Sequence, residues 1–162
     1  MNKRVSEIVR QQENPERERI IIAQRILSLE GDGPGQISLR RETGGWGSAY
    51  TDIKDTAAGR MINSRHGEVQ LDVRALRAIL TMHRRYGQLR VSSIAGGLHS
   101  GTCHYGGRAI DISQIGGVWV RDMSNARIRE INSFMRTLGT SRIIDRNWDP
   151  VGHRDHFHLE WS

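Results

Sequence analysis

The sequence predicts an α+β domain in which helices flank a small antiparallel β-sheet. Two observations predict it. Apolar residues recur at helical spacing in three separated stretches, and short period-two alternations lie between and after them. The order is also informative: helices come first, then strands interrupted by one helix.

Taken in order, Asn14-Pro15-Glu16 is a helix start, with a capping side chain, a proline at the first helical position and an acid in the first turn. Ile22, Ile26 and Leu29, with Ile21 beside them, form its apolar stripe, and Gly31 ends it. From Gly31 to about Gly67 the chain is Gly-rich and aperiodic, including GDGPG and RETGGWGSAYTD, and reads as an Ω-like loop region or a short hairpin. Asp72 then caps the helix VRALRAILTMHRRY, with Val73, Leu76, Ile79, Leu80 and His83 on one side and Gly87 as terminator. Leu89–Ala95 and Arg108–Ser113 read as strands, and GVWVRD as a third. Ser124 starts a helix carrying Ile128, Ile131, Met135 and Leu138, closed by Gly139.

After a proline-containing loop, HFHLEW alternates as a strand. His156, His158 and Glu160 share one side, while Phe157, Leu159 and Trp161 face a core. No internal repeat or linker divides the chain, so residues 1–162 are expected to form a single domain. Residues 1–70 supply a helical and Gly-rich region, and residues 71–162 the functional core.

A chain of 162 residues is long enough to bury roughly 70% of its unfolded surface without a metal or disulfide. Net charge is +6 with a pI near 10.4, and arginine far exceeds lysine. Such a surface attracts any polyanion, whether nucleic acid, lipid headgroups or an acidic cell-wall polymer, and so selects a class of partners rather than one. Scattered basic residues, with no aromatic platform or binding motif, argue against a nucleic-acid protein. Cys103 is the single cysteine and excludes an internal disulfide. The N-terminus lacks the apolar segment of a signal peptide, and no run approaches the ~18 apolar residues of a membrane span. The expectation is a protein made in the cytoplasm and delivered by another route.

The chemistry concentrates in two clusters. One is Thr102-Cys103-His104-Tyr105-Gly106-Gly107-Arg108-Ala109-Ile110-Asp111, where an imidazole and a carboxylate stand at the turn into a strand. The other is His153-x-Asp155-His156-x-His158, with three of the seven histidines. Imidazoles and carboxylates are the ligands of catalytic Zn²⁺, which takes three protein ligands and keeps a fourth position open. His104 and Asp111 offer two, and a histidine of the terminal strand would complete the set.

These residues carry a resemblance. Thr102-x-His104-x-x-Gly107-x-Ala109-x-Asp111 resembles the Ser-x-His-x-x-Gly-x-Ala-x-Asp motif of the D-alanyl-D-alanine metallopeptidase family, and the terminal cluster resembles that of penicillin-insensitive murein endopeptidases. Both belong to the LAS group, which also contains the hedgehog signalling domain. The resemblance covers roughly residues 89–161.

The resemblance implies one zinc ion held by His104, Asp111 and His158, with Asp155 as the catalytic acid and base. His156 would assist the transition state, and His153 would be a further active-site histidine. In that scheme Asp155 accepts the proton of the attacking water and returns it to the leaving amine, while His156 hydrogen-bonds the developing oxyanion. Thr102 stands where serine is usual, and the segment SSIAGGLHS lacks the Ser-Gly-Tyr-Arg pattern that supplies a substrate-binding arginine. Arg90 and Arg108 are the candidates for that cation, and Tyr105 for stacking in the cleft.

The implied function is hydrolysis of peptidoglycan stem peptides or cross-links at D-amino-acid-containing bonds, with the terminal cluster favouring an endopeptidase over a carboxypeptidase. The enzyme would reach the wall after release as an endolysin or after injection by a delivery apparatus. The alternative is an inactive zinc-containing module that docks an anionic partner.

Structural readings account for other conspicuous residues. His83 is expected at a core boundary, His66 in solvent, Cys103 as a small buried hydrophobe, and Trp161 as a core anchor. His99 is weighed as a cleft residue, and Trp46 as a loop plug or a substrate contact.

Overall fold

The computed structural model describes residues 14–42, 46–96 and 102–162. Its first helix, α1 (Pro15–Ser28), begins as its sequence demands: Asn14 Oδ1 accepts from the Arg17 amide at 3.1 Å, and Glu16 and Glu18 sit in the first turn. Its expected stripe packs in or against the core, with Ile26 fully buried and Ile22 and Leu29 partly so, but Ala23 joins it and Ile21 is 53% exposed.

The aperiodic region resolves into three pieces. Strand β1 (Ile37–Leu39) is wholly buried, helix α2 spans Ala49–Ala57, and a hairpin pairs β2 (Ile62–Ser64) with β3 (Gly67–Val69). The hairpin was one of the expected alternatives; the helix was not. Ser48 and Thr51 close a capping box at its start, but Asp52 and Thr56 are buried in it, so hydrophobic periodicity fails there.

Helix α3 (Val73–Tyr86), capped by Asp72, buries Leu76, Ile79 and Met82. His83 is at its boundary, with Nε2 2.7 Å from the Gly35 carbonyl oxygen. There follow β4 (Leu89–Ser93), a single helical turn α4 (Thr102–Tyr105), β5 (Ala109–Ile115) and the short β6 (Val118–Trp119). A 3-10 turn leads to α5 (Asn125–Met135), then β7 (Arg142–Ile144) and β8 (Phe157–Glu160). Sequence periodicity misses β7, because three residues are too few to display alternation.

The fold is α+β, with a six-stranded sheet ordered β1-β4-β5-β8-β7 and β6 paired to β5. One expectation needs correction: the sheet is mixed, since β1 runs parallel to β4 while the other pairs are antiparallel. The parallel pair arises because β1 reaches β4 through α2, the hairpin and α3 rather than a tight turn. One face of the sheet and the helices share a core containing Ile26, Ile53, Ile79, Val91, Ile112, Phe157, Leu159 and Trp161. The opposite face is left open, and the polar clusters gather on it.

Gly107 explains one position of the sequence motif. Its φ is +69°, and its amide closes the turn by donating to the His104 carbonyl at 2.9 Å, so the chain reverses between α4 and β5. A Cβ there would lie 2.5 Å from the Gln70 carbonyl oxygen. Gly107→Ala is therefore expected to lower the melting temperature by several degrees and to weaken metal binding, read by thermal unfolding with and without Zn²⁺.

Candidate metal centre

The sheet brings two of the expected ligands face to face. Asp111 on β5 is the direct cross-strand partner of His158 on β8, and such neighbours hold their side chains within contact reach. The third ligand, His104, comes from α4, the turn that feeds β5. His158 Nδ1 is 3.0 Å from Asp111 Oδ1 and 3.0 Å from His104 Nε2, and His104 Nε2 is 3.2 Å from Asp111 Oδ1. All three residues are buried, and together they could hold a metal ion.

The outer contacts fix which atoms point inward. His104 Nδ1 lies against the Ile94 carbonyl, which only accepts, so Nδ1 carries the proton and Nε2 the lone pair. His158 Nε2 is 3.0 Å from Glu160 Oε2, which likewise leaves Nδ1 as the inward lone pair. Two lone pairs and a carboxylate oxygen thus converge with no donor among them, an arrangement completed by a cation or by a second proton on His158. In a tetrahedral zinc site with bonds of about 2.0–2.1 Å the ligand atoms stand about 3.3 Å apart. The observed separations fall within a few tenths of this, so the donor set fits a metal.

Electrostatics agree with this donor set. Burial works against ionised Asp111, but His104, His158 and His156 outweigh it and hold the carboxyl well below the usual carboxylate range. Burial also opposes charge on His158, yet Asp111 and Glu160 raise its pKa. For Glu160 burial is again outweighed, by the hydrogen bond from His158, and its pKa is lowered.

Two carboxylate–imidazole pairs flank the ligands. His156 Nδ1 is 2.8 Å from Asp155 Oδ1, and its Nε2 is 3.9 Å from Asp111 Oδ2. His153 Nδ1 is 2.8 Å from Asp149 Oδ2, with its ring 4.7 Å from that of His156 and 5.8 Å from that of His158. Asp149 is itself held by the amides of Val151 and Gly152, which, with His153, keep its pKa low. The Asp155 side chain remains 69% exposed and meets the cluster through His156.

These groups open into a cleft of about 1210 Å³. It crosses the sheet from Arg40 beyond β1 to Arg142 and Ile144 on β7, with the ligand cluster between. Arg90 lines it; Arg108 and Tyr105 lie outside its lining. Tyr105 is buried, and His66 is exposed as expected, with its ring 4.6 Å from that of Tyr105. Cys103 also departs from expectation. In a helical turn, not a strand, it faces the cleft, and burial together with a hydrogen bond to Glu160 raises its thiol pKa. Trp46 is 44% exposed and outside the cleft lining, whereas Trp161 is a core residue as expected. His99 lies outside the described residues.

Sequence reasoning assigned no role to Asp149, Glu160, Trp119, Trp148, Arg121 or Arg142, all in the cleft. Glu160 carried a signal, since it shares the strand face of His158. The others are collected from separate turns and strands, and no spacing announces them.

Comparisons with protein-family models, curated proteins and solved structures return no match.

The chain after β4 is pinned from behind. Asp52 Oδ2 accepts from the amides of Ala95 (2.9 Å) and Gly96 (3.0 Å), next to the Ile94 carbonyl that orients His104. Burial pushes the Asp52 pKa up to about 6, against those two hydrogen bonds. A carboxyl that holds its proton more tightly when folded contributes stability below its unfolded pKa, and that contribution is lost as pH rises through its folded pKa. In metal-free protein, the unfolding free energy of wild type relative to Asp52→Asn should therefore fall as pH rises from about 4 to about 6 and level off above, as read by denaturant titration at each pH. Separately, Glu160→Gln should weaken Zn²⁺ affinity by about 10–100-fold in competition with a chromophoric chelator, because it removes the carboxylate that orients His158.

Proposed function

We propose that this protein is a zinc-dependent peptidase of the LAS type that cleaves peptidoglycan stem peptides or cross-links at D-amino-acid-containing bonds, as an endopeptidase. The observation that carries the reading is the convergence of His104, Asp111 and His158 on one point at 3.0–3.2 Å, open to a cleft that also holds the Asp155–His156 pair.

His104 Nε2, His158 Nδ1 and Asp111 Oδ1 would hold the ion. When bound, Zn²⁺ supplies Lewis acidity, polarising a carbonyl and acidifying water. The chain's own residues supply the proton handling. Asp155 fixes the His156 tautomer, and Nε2 of His156, the nitrogen nearest the cluster, accepts a proton from water and returns it to the leaving amine. His153, its Nδ1–H held by Asp149, would present an Nε2–H to charge developing on the substrate oxygen in its doubly protonated form. In this assignment Asp155 acts through an imidazole rather than directly, which follows from its exposure and its 2.8 Å contact.

Support for the endopeptidase reading comes from the cleft, which continues past the ligands toward both sheet edges and leaves room for chain on either side. The net positive charge favours approach to an anionic wall. No helix among the described residues is long and apolar enough to cross a membrane.

The deciding experiment digests purified sacculi with zinc-loaded and chelated protein and weighs the fragments. Zinc-dependent release is expected, with fragment masses naming the bond. Asp155→Ala and His156→Ala are each expected to lower the rate at least about 100-fold while one zinc per chain remains bound, and His158→Ala to lose both zinc and activity. Stoichiometric zinc with no cleavage of several wall types would overturn the peptidase reading in favour of a zinc-containing binding module.

A further inference from the structure

Acids concentrate at the ligand end of the cleft, apart from Glu42, which pairs with Arg40. Asp111, Asp149, Asp155 and Glu160 surround the ligand end, with Arg142 4.0 Å from Glu160. Along the sheet from them, one rung of paired residues crosses four strands: Ser38 on β1, Arg90 on β4, Gln114 on β5 and Trp119 on β6. Gln114 is three residues beyond Asp111, so the rung lies about 10 Å from the ligand carboxylate at roughly 3.3 Å per strand residue.

Arg90 is half-buried there, and no carboxylate among the described residues lies within 4 Å of it. Its guanidinium is steered by Ser38, whose hydroxyl accepts from Nη1 at 2.8 Å and in turn donates to Asp32. The Trp119 ring is flanked by two guanidinium groups, that of Arg90 at 5.9 Å and that of Arg121 at 5.3 Å from its centroid. Arg121 is exposed, its nearest acid being Asp122 at 3.9 Å on the surface. The turn bearing Arg121 is fixed by Arg146, whose guanidinium donates to the carbonyls of Val120, Arg121 and Met123.

We propose that Arg90, Arg121 and Trp119 form a carboxylate subsite that selects an acidic peptide, gripping a carboxylate about three residues from the bond at the metal centre. Two guanidinium forks meet a carboxylate with charge-assisted hydrogen bonds, and the indole covers the adjoining apolar chain. Arg90 reaches the Asp32 carboxylate only through the Ser38 hydroxyl, so its guanidinium has no direct carboxylate partner within 4 Å among the described residues and can take one from a ligand. The subsite rests on the peptidase reading only for the identity of the bond it positions.

The test measures binding without turnover. Zinc-loaded Asp155→Ala protein is titrated with the tetrapeptide L-Ala-γ-D-Glu-L-Lys-D-Ala, with its form amidated at the free glutamate carboxyl, and with its C-terminal amide, following tryptophan fluorescence. The acid form is expected to bind at least about tenfold more tightly than one of the two amides, which identifies whether the gripped carboxylate belongs to the glutamate or the chain end. Adding Arg90→Gln or Arg121→Gln should erase that difference, and Trp119→Ala should remove most of the fluorescence change. Arg121 is exposed, so its variant should keep the parent melting temperature and serves if Arg90→Gln unfolds. Equal binding of all three peptides, or a preference for the acid form that survives both arginine changes, would overturn the subsite. Charge-dependent binding in a protein that cleaves no wall would sustain the subsite while the peptidase reading failed.

Discussion

The pairing of Asp111 with His158 across β5 and β8 is the constraint on which the rest of the structure depends. Two polar, ionisable side chains are held in a nearly dry place, where each is costly without a partner. Their position is fixed from the other face. Phe157, Leu159 and Trp161 alternate with His158 and Glu160 and are fully buried, as are Ile110 and Ile112 beside Asp111. A one-residue slip of β8 would expose three large hydrophobic groups and bury a carboxylate, so the register that serves the core also sets the ligand geometry.

His104 is attached to that pair by a chain of supports. Gly107 permits the tight reversal from α4 into β5, the Ile94 carbonyl sets the His104 tautomer, and Asp52 secures the two amides just after Ile94. Helix α2 therefore contributes to a centre it does not line with ligands. Its buried aspartate, satisfied by the amides of Ala95 and Gly96, anchors the segment that orients His104.

The open face gains its chemistry from the same architecture. The longer helices share a core with one face of the sheet, so side chains of the other face from β4 to β8 meet, with the turn α4, in one cleft. Acids and imidazoles concentrate where β5 meets β8, and Arg90 and Arg121 gather beside Trp119 where β4, β5 and β6 meet. Separation of the two along the strands gives the cleft a direction, which a symmetric pocket would lack.

By itself, the sequence determined the α+β class, three helices with their caps, the strands β4 and β5, the two-faced terminal strand and the two polar clusters that contain His104, Asp111 and His158. These are local facts: capping side chains act within a turn, and a period of two or 3.6 reports a face without knowing what covers it. Tertiary structure alone decided the parallel place of β1, the existence of α2 and β7, the cleft-facing position of Cys103, the pairing of Asp155 with His156 and of Asp149 with His153, and the assembly of Arg90, Arg121 and Trp119. The two aspartate–histidine pairs are close in sequence but are set by loop conformation, which no period reports; the others depend on residues far apart in the chain or on an element too short or too polar to show a period. Helix α2 stayed hidden because its buried Asp52 is satisfied by the amides of Ala95 and Gly96, more than forty residues away, a contact that only the folded chain creates.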